Sequence, residues 1–280
     1  GGAGADSLTG GAGDDEFNFA SSAELSGDTT VDGGDNIDTI QMNTEAGALT
    51  LVDADFSKVS SMESLDLNGT GTQEVTLGTE TDQAFANGVT IRVVEDATSL
   101  NLQGAASIVS IDATGTDNSD TLVGGTVADT LEGGEGADSL TGGAGVNTFV
   151  QGTADSVSGF LDPSPNPIAA SGDLVFQNGV DVIQDFTAGN GGDVLDLVVG
   201  DQAITAIGVT PSALQVGTNH FLSGNFDAGT GRFAIEADGV GGDTVIFQGY
   251  AGDGESITSN TSYLVLVGVD TDNLAAANFS

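Results

Sequence analysis

Aspartates recur at one phase of a nine-residue period over Gly115–Val150. Written in nines, the stretch runs GTDNSDTLV, GGTVADTLE, GGEGADSLT, GGAGVNTFV, four tandem copies of G-G-x-G-x-D-x-U-x with U a large apolar residue. The third copy is complete. The first keeps Asp120 and Leu122 but carries Thr116 and Asn118 at glycine positions; the second has Val127 at the third glycine; the fourth has Asn147 in place of the aspartate. Two complete copies open the chain, GGAGADSLT and GGAGDDEFN, and put Asp6 and Asp15 in the same phase, and a looser one, GGDNIDTIQ, adds Asp38. Carboxylates and glycine-turn carbonyls brought together at a fixed repeat suit a hard, oxygen-seeking cation such as Ca²⁺. The candidate ligands are Asp6, Asp15, Asp38, Asp117, Asp120, Asp129, Asp138 and Asn147, with the turn residues Gly124, Gly125, Gly133, Gly134, Gly136, Gly142, Gly143 and Gly145. Several ions are expected.

These residues need turns and strands to place them. The glycine-rich half of each nonamer can adopt positive φ and bend tightly. The D-x-U-x half is a short strand with its apolar side chain inward. Two nonamers make one flattened coil, so equivalent turns recur every eighteen residues. On that register Asp120 and Asp138 share one edge, Asp129 and Asn147 the other, and Leu122, Leu131, Leu140 and Phe149 form an internal ladder. Leu8 and Phe17 face inward in the opening copies. The eighteen-residue partners of Asp6 and Asp15 would be Glu24 and Gly33, so the register breaks there, and a cation at either would need an irregular partner or repeats preceding Gly1.

The nonamers resemble the RTX repeats of secreted bacterial proteins, a Ca²⁺-binding parallel β-helix signature. Among these the chain is most similar to the C-terminal part of an RTX-type surface-layer protein. The resemblance extends to Gly179–Leu197, where the pattern D-x-I-x-D-F, a Gly-rich turn and D-x-U-D-L matches at Asp181, Asp185, Phe186, Asp193 and Asp196; it adds Asp185 and Asp193 to the candidate ligands. Gly229–Tyr250 is similar to the acidic hairpin of such C-terminal domains, with Asp238 and Asp243, and the last residues are similar in kind to an uncleaved signal for type I secretion. The resemblance implies Ca²⁺ as cofactor, the type I machinery as a partner and an extracellular, cell-surface location.

Composition sets further bounds. The 280 residues include 42 acidic and three basic ones (Lys58, Arg92, Arg232), giving a net charge of −39. That charge repels itself and opposes the compact state unless cations neutralise it. It also excludes ordinary nucleic-acid binding and attraction to anionic lipid. With 44 glycines and 5% aromatics, the chain suits thin repetitive β architecture better than one thick core. No cysteine is present, so disulfides are not the staple, and no apolar run is long enough for a transmembrane helix. The chain opens mid-pattern without Met or a leader, as expected of a C-terminal fragment.

The fold predicted is all-β: a parallel β-roll or β-helix solenoid with irregular middle coils and a β-rich C-terminal cap. Four segments are expected: N-terminal coils over 1–45, an irregular solenoid over 46–114, the nonapeptide roll over 115–150, and a cap with the secretion signal over 151–280. Ala20–Val31 is expected to be a short helix or loop. Middle strands are expected at Leu49–Val52, Ser64–Leu67, Val75–Leu77, Val89–Val94, Leu100–Leu102 and Ile108–Asp112. The acidic pairs Asp53/Asp55 and Glu95/Asp96 read as solvated turns ahead of metal sites, and the proline-rich LDPSPNPI, Leu161–Ile168, as a loop or hinge.

His220 is the only histidine and lies in NHFL, where a half-buried strand position is expected. Zinc motifs, a Walker A Gly-Lys and a G-x-S-x-G elbow are all missing, so no enzyme is expected. The expectation is a Ca²⁺-dependent structural protein of the bacterial surface that associates with itself, with cell-surface glycan as a further candidate partner. The rival is the folding and export module of a larger secreted enzyme, toxin or adhesin.

Overall fold

Alternating apolar residues here make short strands that stack in parallel. The computed structural model describes residues 2–44, 47–93, 97–152, 173–176, 179–197, 205–206, 220–236, 239–248 and 262–280. The chain divides into two units: Gly1–Glu132 with Gly142–Asn147, and Gly133–Thr141 with Thr148–Ser280. The expected nonapeptide segment, 115–150, is divided between the two. The proline-rich Leu161–Ile168, the Glu95/Asp96 pair and Asp238 lie outside the described residues.

The first unit holds β1 (Ser7–Ala12), β2 (Glu16–Phe19), β3 (Thr30–Asp35), β4 (Thr39–Thr44), β5 (Leu49–Leu51), β6 (Val59–Ser60), β7 (Ser64–Gly69), β8 (Thr72–Thr76), β9 (Val89–Val93), β10 (Ser99–Gln103), β11 (Ile111–Thr114), β12 (Thr121–Val123) and β13 (Thr130–Glu132). Their sheet orders are β1-β3-β6, β2-β4-β7-β9-β11-β13 and β5-β8-β10-β12. Every pairing in these sheets is parallel. This is a parallel β-solenoid.

Register fixes its core. Phe17, Ile40, Leu65, Ile91, Ala113 and Leu131 stand directly over one another as a single inner ladder, and all are buried. Their spacings of 23, 25, 26, 22 and 18 residues show coils that lengthen in the middle and reach the nonapeptide length only at the end. Burying each large rung contributes about 1.5–3 kcal/mol. Opposite, Leu51, Val75, Leu102 and Leu122 form the facing ladder.

The extra residues of the long coils form two six-residue helices, α1 (Ser22–Gly27) and α2 (Thr79–Ala84). Ser21 caps α1 by accepting the Glu24 N–H at 3.2 Å, and Leu25 turns inward, fully buried. The N-terminus of α2 is capped from the preceding coil: Asp53 accepts the N–H of Glu80 at 3.2 Å and of Thr81 at 2.8 Å. Asp53 therefore caps α2 rather than standing free in a solvated turn. Phe56 and Phe85 meet edge to face at 5.8 Å between α2 and the 3-10 turn Asp53–Phe56. The strand expected at Ile108–Asp112 starts only at Ile111. Asp82 takes the N–H of Ile108 and the hydroxyl of Ser107, which turns the backbone and leaves Ile108 67% exposed.

The second unit holds β14 (Ser139–Thr141), β15 (Thr148–Gln151), β16 (Asp173–Val175), β17 (Asp181–Ile183), β18 (Val194–Leu197), β19 (Thr205–Ala206), β20 (His220–Asp227), β21 (Arg232–Ile235), β22 (Asp243–Gln248) and β23 (Ser262–Leu266). Here β14-β17-β23 and β15-β18 are parallel, whereas β23-β22-β20-β21-β16 is antiparallel. Leu174, Leu222, Phe233, Val245, Tyr263 and Val265 centre its core. His220 is the first residue of β20. Among the described residues no helix is long and apolar enough to cross a membrane.

Candidate metal centre

Each in-phase aspartate sits where a glycine turn hands over to a strand, which points its carboxylate along the stack. The first oxygen then serves the neighbouring coil. Asp38 Oδ1 accepts the Asp15 N–H at 2.8 Å, and Glu63 Oε2 accepts the Asp38 N–H at 2.9 Å. Asp28 Oδ1 accepts the Asp6 N–H at 3.0 Å. Asp129 Oδ1 accepts from Ile111 at 2.8 Å, and Asn147 Oδ1 accepts from Asp129 at 3.1 Å. In the second unit Asp181 Oδ1 accepts from Asp138 at 3.0 Å.

The second oxygen divides the sites into two kinds. In the complete and near-complete copies at the start of the chain, Oδ2 of Asp6, Asp15 and Asp38 is buried and accepts no hydrogen bond. In the degenerate copies the turn closes on itself. Asp120 Oδ2 accepts the N–H and hydroxyl of Thr116, and Asp129 Oδ2 accepts the Gly125 N–H at 2.6 Å. Burial pushes both of these carboxyls above the usual aspartate range, and the N–H donors of Leu100 and Thr116 (Asp120) and of Gly125 and Ile111 (Asp129) offset only part of that.

Carbonyl oxygens complete the open sites. A Cβ on Gly10 would lie 2.5 Å from both Asp15 Oδ2 and the Gly33 carbonyl oxygen, so a carboxylate and a carbonyl from successive coils crowd one point. Gly33 is pressed in the same way by Asp38 Oδ2 and the Ser61 carbonyl. Ser61 has φ +55, the left-handed region glycine usually occupies, so Ser61–Glu63 imitates a nonapeptide turn without its glycines. Among the described residues no three His, Asp or Glu side chains gather at one place. A cation would be held by one or two carboxylates with main-chain carbonyls. Ca²⁺ accepts such sets, taking six to eight oxygens at about 2.3–2.6 Å. An unpartnered buried carboxylate oxygen beside carbonyls fits that ion, since a buried charge is stable only when paired. When bound, Ca²⁺ would supply the missing positive charge to Asp15 with Gly33 and to Asp38 with Ser61.

The other candidate ligands fall as follows. Asp120, Asp129, Asp138 and Asn147 are buried, whereas Asp117 is exposed in its turn. Gly134, Gly136, Gly143 and Gly145 all have positive φ. Asp138 Oδ2 folds back against Gly133, and Asp129 Oδ2 and the Gly142 carbonyl both crowd Gly124. The Gly125 carbonyl accepts the Ala144 N–H at 3.1 Å. Asp193 Oδ2 accepts the Thr187 N–H at 2.7 Å, and the half-buried Asp185 starts the same turn. That turn is closed by an amide: Asn278 Nδ2 donates to the Asp193 carbonyl at 2.7 Å and the Gly189 carbonyl at 3.2 Å. Asp243 is a staple, accepting from Phe226 at 2.7 Å and Gly268 at 2.8 Å.

The eighteen-residue register does break at Glu24 and Gly33, and irregular partners stand further on. The inserted helix lengthens the coil, so the partner of Asp6 is Asp28 and that of Asp15 is Asp38. Counting eighteen from each aspartate hid both. Asp28, Glu63 and Gln151, whose amide donates to Asp181 Oδ2 at 2.6 Å, escaped the sequence reading because none lies in a nonamer's aspartate phase.

Compared with known families, the chain matches the RTX calcium-binding nonapeptide repeat, in four copies, over residues 1–21 and 114–149. Repeats of this type bind calcium, and proteins that carry them are typically secreted. No curated protein matches the chain.

Proposed function

We propose that this protein, an RTX-type β-solenoid, is a calcium-dependent structural protein of the bacterial cell surface that forms an array or matrix. It is exported unfolded by type I secretion, then folds and assembles in extracellular Ca²⁺. The observation that carries the reading is the set of buried, unpartnered carboxylate oxygens on Asp6, Asp15 and Asp38 in a chain of net charge −39. Without divalent ions those oxygens and the general self-repulsion oppose folding, which suits passage through an export channel. With ions the sign reverses. Sites of this extracellular kind have Kd of roughly 10⁻⁴–10⁻³ M. A tenfold excess of ligand over Kd stabilises the folded state by about 1.4 kcal/mol per site, so a few sites decide the balance.

Self-association follows from the same charge: ions between acidic faces neutralise both, and open strand edges at a solenoid's end offer main-chain pairing. Cell-surface glycan is a second partner in this reading, and no catalysis is assigned to the chain. The supporting feature is its uneven coils, since a tail whose only task is export and folding needs no 25- or 26-residue coils stapled by helices. The test is a far-UV circular dichroism titration with Ca²⁺ and chelator, followed by negative-stain imaging. Ca²⁺-induced folding with ordered sheets or filaments supports the reading. Ca²⁺-induced folding to dispersed monomers favours instead the export and folding module of a larger secreted protein. Equal folding in chelator overturns the calcium linkage.

A further inference from the structure

Among the described residues outside the nonapeptide copies, one buried carboxylate has an oxygen with no donor. Asp28 follows α1 directly, is 3% exposed, and offers Oδ1 to the Asp6 N–H at 3.0 Å. Its Oδ2 is buried and accepts nothing. On the adjoining coil Asp6 Oδ2 is buried and unpartnered as well. The two coils are clamped together at this point, because the Asp6 carbonyl accepts both the N–H and the hydroxyl of Thr29, at 2.8 and 2.7 Å. Two anionic oxygens are therefore held at neighbouring positions on one edge of the solenoid with nothing positive supplied to either. Among the described residues neither carboxylate forms an ion pair with Lys, Arg or His.

Position sharpens the conflict. Asp28 is the C-cap of α1, and no basic residue lies in that helix's last turn. Helix C-termini carry the negative end of the dipole and carbonyls without intrahelical donors, so an anion is disfavoured there and a cation favoured. A buried charge in such surroundings survives only with a counter-charge. Here α1 acts as a spacer. It lengthens the coil so that the pattern-breaking Asp28, rather than any nonamer residue, stands 22 residues after Asp6.

We propose that Asp28 and Asp6 form a divalent-cation site, Ca²⁺ by its all-oxygen chemistry, in which α1 supplies the ligand that the repeat pattern lacks. This rests on the calcium reading of the repeats, from which it differs in requiring a residue outside them. The site closes the start of the solenoid on the edge opposite the Asp15–Asp38 column.

The test counts bound Ca²⁺ by equilibrium dialysis for the whole chain and for Asp28→Asn, with urea unfolding in Ca²⁺ and in metal-stripped buffer. Asp28→Asn should lose one bound ion, be less stable than the parent in Ca²⁺, and be no less stable without metal. A purely structural Asp28, whose one acceptor oxygen asparagine retains, would instead leave the ion count unchanged and shift stability equally in both conditions, which would overturn the proposal. If Asp28→Asn does not fold in saturating Ca²⁺, crystals of the unaltered protein grown with Tb³⁺ decide. An anomalous peak within about 2.6 Å of Asp28 Oδ2 supports the site. Peaks at the Asp15 and Asp38 turns but none at Asp28 overturn it, and an unaltered protein that binds no ion removes the calcium reading as well.

Discussion

The backbone N–H of Asp15 donates to the carboxylate of Asp38, 2.8 Å away and 23 residues on. One oxygen of Asp38 thereby ties two coils together, while the other, buried and without a donor, is left for a cation. The staple is made by the polypeptide alone and the counter-charge is not. On the proposed calcium reading, that division lets a solenoid be specified by its sequence yet depend on an ion to persist.

The two roles separate by mutation. Asp38→Asn keeps an oxygen to accept the Asp15 N–H but loses the charge, whereas Asp38→Ala loses both. In metal-stripped buffer Asp38→Asn is expected to be at least as stable as the parent, because a buried unpaired charge has gone. Asp38→Ala should be less stable than Asp38→Asn by about 1–3 kcal/mol for the orphaned N–H. In Ca²⁺ both should need more ion to fold. Urea unfolding in the two buffers is the measurement, and identical behaviour of the two variants without metal would show that the staple carries no stability.

Asp120 and Asp129 give a pH dependence. Burial raises both above the ordinary value of 3.8, so the folded state holds their protons more tightly than the unfolded chain does. Their contribution to stability is fully present below the unfolded value and is lost as pH rises through the raised folded value. Metal-stripped protein should therefore gain stability as pH falls from 7 towards about 4. Relief of the general negative charge acts in the same direction, so the specific part is read from the double variant Asp120→Asn/Asp129→Asn, whose melting temperature should vary less steeply with pH. An equal slope in the double variant would assign the whole effect to net charge.

Sequence periodicity revealed the strands and the inner ladder because burial acts on every rung: Leu122 and Leu131 are inward for the same reason that they recur at nine. It showed that the register breaks after Asp6 and Asp15 but could not identify their partners, because coil length varies along the stack. A six-residue helix shifts the count without altering the pleat, so Leu8 still lands on Val31 while the turn partner of Asp6 becomes Asp28. Nor could spacing show that Thr116 and Gly125 close their own aspartates. That depends on turn conformation, which the missing glycines change. Asn278 on the Gly189–Asp193 turn was invisible for a simpler reason: it arrives from 85 residues away.

Asp53 supplies an acid that is not calcium-linked. Both its oxygens already accept donors from the start of α2, including the Thr81 hydroxyl at 2.9 Å. Asp53→Ala should cost about 0.5–2 kcal/mol, the range for loss of a helix cap, and should cost the same in Ca²⁺ and without it. A larger loss in Ca²⁺ would make Asp53 a ligand after all.

Gly11 and Gly34 face each other across β1 and β3 and share the left-handed conformation, with φ of +103 and +111. Their surroundings differ. A Cβ on Gly11 would meet nothing within 4 Å, whereas one on Gly34 would run into the Gly11 carbonyl and backbone. Alanine at either position bears the same conformational penalty, about 1–2 kcal/mol. Only at Gly34 must the stacked turns also move apart, and backbone cannot yield as a flexible side chain would. Gly34→Ala is therefore expected to lose clearly more stability than Gly11→Ala in urea unfolding with Ca²⁺ present. Because the Gly34 turn also carries Asp38, its displacement should raise the Ca²⁺ midpoint for folding beyond that of Gly11→Ala. Equal losses would mean that the turns are not stacked closely enough for a carboxylate and a carbonyl from successive coils to share one ion.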